Sequence, residues 1–97
     1  MSKAGTATAT VLIENARVRV TEWRFRRRGE NTGWHRHAHD YVVLPLFDGV
    51  LEIESADGVR TAVELRHGVP YFREAGVEHD VLSGNDFECA FIETELL

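Results

Sequence analysis

Apolar and polar residues alternate with a period of two along most of this chain. The pattern is clearest in "VLEIES" (50–55) and "RTAVEL" (60–65), where valine, leucine and isoleucine interleave with acids, threonine and arginine. Alternation of this kind marks a strand with one buried and one solvated face. "ARVRVTEWRF" (16–25) begins the same way, with Val18 and Val20 between arginines, but Trp23 and Phe25 continue one step out of phase. The slip predicts a bulge near Thr21 or Glu22. "FECAFIETEL" (87–96) puts Phe87, Cys89 and Phe91 on one face of a final strand. Turn signals separate these runs: Asp48-Gly49, "ADG" at 56–58, His67-Gly68, Ala75-Gly76 and "SGND" at 83–86. No segment carries a helical period over a helix's length. Short strands between closely spaced turns predict an all-β fold, an antiparallel sandwich or barrel.

A length of 97 residues suits one domain with a modest core. The opening "MSKAGTATAT" is small and polar, so residues 1–12 are expected to form a flexible arm or an edge strand, and 13–97 a single barrel domain. Apolar content of 43% and charged content of 28% are ordinary for a folded domain. The net charge of −5 argues against nucleic acid or an anionic membrane as partner. No apolar run reaches the roughly 20 residues of a membrane span, and no secretory leader is apparent, so a cytoplasmic protein is expected. Cys89 is the single cysteine, which excludes an internal disulfide; beside two phenylalanines it reads as a buried, inert thiol. The arginines of "RFRRRG" (24–29) read as solvated charge protecting a sheet edge, and Trp34 as facing away from His35.

The chemistry concentrates in "TGWHRHAHDY" (32–41). Three of the five histidines, His35, His37 and His39, stand at every second residue. In a strand, His35 and His37 share a face, and two imidazoles so placed can bind one metal ion. A third ligand must come from elsewhere, and His79 in "AGVEHDV" is the candidate. His67, beside Gly68, reads as a surface turn residue. The competing reading is a metal-free cavity whose histidines form a pH-sensitive polar lining.

"TGWHRHAHDYVVLPLFDG" resembles the first cupin motif, in which a glycine precedes His-x-His, a glutamate follows, and a second glycine closes the next strand. "HGVPYFREAGVEHDV" resembles the second motif, with Gly68, Gly76 and His79 in order. The resemblance covers about Arg17 to Glu93 and implies a small cupin β-barrel or jelly roll of RmlC-like type. It further implies His35, His37 and His79 as ligands of a divalent transition metal (Fe, Ni, Zn, Mn or Cu). Tyr41 falls in the slot usually held by the glutamate ligand. By that analogy Tyr41 and His39 are the candidate catalytic residues, positioning a substrate or moving a proton, and His39 and Asp40 are alternative fourth ligands. Gly49 stands one residue further from the histidines than is usual, and a bulge near Leu44–Pro45 is expected to absorb the extra residue. "VRVTEWRF" and "YFREAGVEHDV" are also similar to short bacterial cupins associated with β-alanine degradation.

Two functions follow from the resemblance. One is a three-histidine metalloenzyme, dioxygenase-like or an isomerase, acting on a small organic acid, diketone or thiol. The other is a non-catalytic small-molecule- or metal-binding cupin serving as a sensor or accessory in a catabolic pathway. A homodimer is expected in either case. Acidic residues are expected to face outward along the strands.

Overall fold

The computed structural model describes residues 5–97. Among these described residues nine strands follow one another: β1 (Thr8–Glu14), β2 (Val18–Phe25), β3 (His35–Arg36), β4 (Asp40–Pro45), β5 (Gly49–Glu54), β6 (Arg60–Leu65), β7 (Tyr71–Arg73), β8 (Glu78–Ser83) and β9 (Cys89–Leu96). They form two antiparallel sheets, a five-stranded one in the order β1-β2-β9-β4-β7 and a four-stranded one in the order β3-β8-β5-β6. The all-β antiparallel architecture expected from the alternation is what the chain adopts. Among the described residues no helix is long and apolar enough to cross a membrane.

The inward faces of the two sheets supply the core: Phe25, Val43, Leu51, Leu65, Val81, Cys89 and Phe91, with Trp23, Ile53 and Tyr71 packed against them. Alternation explains the choice. Thr21, Trp23 and Phe25 share a parity on β2, as Tyr41, Val43 and Pro45 do on β4 and Cys89, Phe91 and Glu93 on β9. Cys89 is buried as expected, 3.8 Å from the Ser83 hydroxyl and 3.6 Å from the Asn85 amide nitrogen. The β5–β6 hairpin turns through Ser55–Gly58, where Gly58 has φ 82° and the Asp57 carboxylate accepts the Val59 N–H.

Three sequence expectations need correction. β2 pairs with β9 in unbroken register from Val18 to Phe25. The irregularity lies in its other neighbour, β1, whose register shifts between Val11 and Ile13. Trp23 and Phe25 are therefore in phase with Thr21, and Val18 and Val20 belong to the other face. Similarly, β4 and β9 stay in register through Pro45↔Phe91, so Pro45 carries no bulge and is the buried last residue of its strand. Phe87 lies before β9 and is exposed, packing edge-on to Phe47 at 6.4 Å.

Of the N-terminal arm, residues 1–4 lie outside the described residues. β1 is an edge strand, and it leaves Val11, Leu12 and Ile13 each more than half exposed. Arg24, half-buried within β2, pairs with Glu22 and Glu88, and the arginines after β2, Arg26–Arg28, are exposed, Arg28 pairing with Asp86.

Candidate metal centre

Two short segments bring the histidines together. β3 and β8 pair with His35 directly opposite His79. Beyond Arg36 the chain leaves the strand, but His37 is fixed by its backbone: its N–H donates to the Val77 carbonyl, and its carbonyl accepts the Gly76 N–H, both at 2.8 Å. Gly76 turns the chain there with φ 101°, a left-handed conformation that suits glycine. Asp40 tightens the same corner by accepting the Ala75 N–H at 2.8 Å. The partners that hold His37 thus lie just before His79, which explains how residues some forty positions apart meet.

The side chains converge through their Nε2 atoms. His35 Nε2 is 2.9 Å from His37 Nε2, and His79 Nε2 is 3.3 Å from His37 Nε2. Nitrogens bound at about 2.1 Å to a common ion stand about 3.0–3.4 Å apart; these two separations lie close to that range, and all three ligand atoms lie within 4.8 Å of one another. His35 Nδ1 lies 2.8 Å from the Gly33 carbonyl, which fixes the proton on Nδ1 and leaves the Nε2 lone pair facing the cluster. Burial, reinforced by neighbouring imidazoles, pushes His37 down to about 3 and His79 to about 4. Both rings are therefore neutral near pH 7, the form that donates to a metal.

Around the cluster lies a cavity of about 280 Å³ between the sheets, walled mainly by Val43, Leu51, Ile53, Val63, Val81 and Phe91. Tyr41 lies against it, 3% exposed, its ring stacked on His37 with centroids 3.8 Å apart. Burial, helped by the Glu93 charge, raises its phenol well above the ordinary range and keeps it protonated.

His39 does not join the group. The expected continuous strand stops at Arg36, and Ala38–His39 form a bend before β4, so the two-residue alternation ends after His37. His39 is half-buried and absent from the cavity wall, and Asp40 is exposed and committed to the Ala75 turn. His67 is an exposed turn residue. Trp34 donates its indole N–H to Glu78 at 2.9 Å.

The residue that sequence reasoning missed is Glu93. Acids were expected to face outward, yet Glu93 is 7% exposed and points into the cavity. One carboxylate oxygen accepts the Trp23 indole N–H at 3.4 Å, and the other stands 3.7 Å from His37 Nε2. Trp23 in turn stacks alongside His35 with centroids 6.4 Å apart. Burial first, then the Glu95 charge, lifts the Glu93 carboxyl to about 7. The signal was present in the parity of β9, since Cys89 and Phe91 on the inward face require Glu93 to follow them.

Comparison with known proteins agrees with this geometry. Over 96 residues the chain is 52% identical to the beta-alanine degradation protein BauB of Pseudomonas aeruginosa, covering 99% of each chain. A solved cupin domain from Bordetella pertussis Tohama I superposes with TM-score 0.90 at 47% identity, over 98% of this chain and 97% of that one. The chain is a cupin. A further cupin, from Desulfitobacterium hafniense, superposes with TM-score 0.71 at 16% identity over 100% of this chain and 83% of its own, and so speaks for the fold alone. No family model matches the chain. Within the cupin frame, three histidines close together fit a metal site.

Proposed function

We propose that this cupin holds one divalent transition-metal ion on His35, His37 and His79 and uses it to transform a small organic acid, with dioxygenase-like chemistry the leading form. The observation that carries the reading is the clustering of three imidazoles, their ligand nitrogens within 4.8 Å of one another, on the wall of a largely apolar cavity. A bound ion of this kind supplies Lewis acidity and, if it is iron, the means to activate oxygen.

The chain's own residues have distinct tasks. The Gly33 carbonyl keeps His35 in the tautomer that offers Nε2. Tyr41 holds the plane of His37 by stacking and offers a protonated phenol at the cavity wall. Glu93, held by Trp23 through one oxygen, accepts or releases a proton at the other near neutral pH. The apolar walls keep bulk water from the reacting group. His39 and Asp40 have no part in this scheme.

The name of the Pseudomonas aeruginosa relative supports a role in β-alanine breakdown for this chain as well. Homodimer formation is part of the same proposal, supported by the exposed apolar run Val11–Ile13 on the edge strand β1. Turnover tests the enzymatic reading. Metal-loaded protein is expected to consume oxygen or convert a small acid related to β-alanine, and His37→Ala to lose this. Ligand binding without conversion under every metal would replace the enzyme with a binding protein.

A further inference from the structure

Besides the histidines, the cavity wall carries two charged side chains, and they are of opposite sign: Glu93 and Arg73. Glu93 is a buried carboxylate with no arginine or lysine within salt-bridge distance among the described residues; its neighbours are the Trp23 indole and the His37 ring. A carboxylate so placed is costly unless a cation reaches it. Arg73 is likewise free of any acid within salt-bridge distance among the described residues. Its guanidinium lies over the Tyr71 ring, 4.6 Å from the centroid, and one N–H donates to the Phe72 carbonyl. That leaves most of its donors to an anion in the cavity.

The topology sets the distance between them. β9 and β7 flank β4, with Glu93 opposite Val43 and Arg73 opposite Tyr41. Their backbones are therefore about 12 Å apart, two strand spacings across and two residues along the strand. Glu93 is buried in the cavity wall, whereas Arg73 lines the same cavity from the edge strand β7, where it is exposed. The span suits a molecule of a few carbon atoms with a cation at one end and an anion at the other.

We propose that the cavity recognises a small zwitterion, an amino acid whose ammonium sits at Glu93 and whose carboxylate sits at Arg73. The inference rests on the reading of this cavity as the functional site, and it narrows the substrate class from organic acids to amino acids that still carry their amine. It assigns Glu93 to the ligand and not to the ion. Among the described residues, the group of three or more His, Cys, Asp or Glu ligand atoms that all lie within 4.8 Å of one another consists of His35, His37 and His79, without Glu93.

Calorimetric titration of β-alanine, propanoate and 1-aminopropane into wild type, Glu93→Gln and Arg73→Gln tests this, with the metal content of each sample measured. β-Alanine is expected to bind wild type at least tenfold tighter than either singly charged probe, since one charge-assisted contact is worth about that factor or more. Glu93→Gln should erase the preference over propanoate, and Arg73→Gln the preference over 1-aminopropane. Propanoate binding as tightly as β-alanine, no binding of any probe, or variants that keep the wild-type ratios would overturn the proposal. So would a Glu93→Gln protein that loses its ion yet keeps its preference. A wild type that shows these preferences but holds no metal would remove the metal reading and leave this one standing.

Discussion

Replacing Glu93 by glutamine probes the cavity's electrostatics without changing its shape. The carboxyl is 7% exposed and is lifted from the ordinary 4.5 to about 7, first by burial and then by the charge on Glu95. An acid raised in the folded state keeps its proton there longer than in the unfolded chain. Its contribution to stability is thus fully present below about pH 4.5 and is lost as the pH rises through about 7. At 1.36 kcal/mol per pH unit the displacement is worth about 3 kcal/mol. Glu93→Gln removes the ionisation, so in chelator-treated protein the variant should exceed wild type by about 1 kcal/mol near pH 5 and by about 3 kcal/mol at pH 8. For a domain of this size that is a Tm difference on the order of 10 °C or more. His37 and His79, lowered to about 3 and 4, act in the opposite sense: the unfolded state binds protons below 6.5, and stability falls as pH drops. Both proteins share that trend, so the difference between them isolates Glu93. Thermal and urea unfolding by circular dichroism from pH 5 to 8 measures it. A gap that does not widen with pH, or a variant less stable at pH 8, would refute the reasoning.

Other substitutions test the scaffold. Gly76→Ala forces a side chain into φ 101° and should cost about 1–2 kcal/mol, read by urea unfolding, while loosening the backbone that holds His37. Tyr41→Phe should retain near-wild-type stability because stacking on His37 survives, whereas Tyr41→Ala should lose about 3–5 kcal/mol in the same assay. A Val11→Lys/Ile13→Lys double variant should sediment as a monomer where wild type sediments as a dimer; a monomeric wild type would exclude pairing through β1.

Much of the fold was legible because a period of two is a local property. "VLEIES" and "RTAVEL" became β5 and β6, and Ala56–Gly58 fell within the hairpin between them. His35 and His37 could be paired from spacing, and His79 from the second motif. The remainder depended on long-range contacts. His39 continued the alternation in sequence, but the hydrogen bonds of His37 to Val77 and Gly76 end the strand there, and no local signal marks that end. Parity on β2 was misread because Val18 and Val20 are more apolar than Thr21, although it is Thr21 that is buried. Glu93 is the opposite case, an acid on an inward position of β9 that contradicts hydropathy and is explained by the cavity it enters. Such positions, where local preference and placement conflict, are where chemistry concentrates.

The most direct test of the central claim is a metal titration of chelator-treated wild type beside a His35→Ala/His79→Ala double variant, read by a competing chromophoric chelator and elemental analysis. One ion per wild-type chain is expected, and none retained by the variant. Equal uptake by both proteins, or no uptake by either, would contradict a metal centre built on His35, His37 and His79.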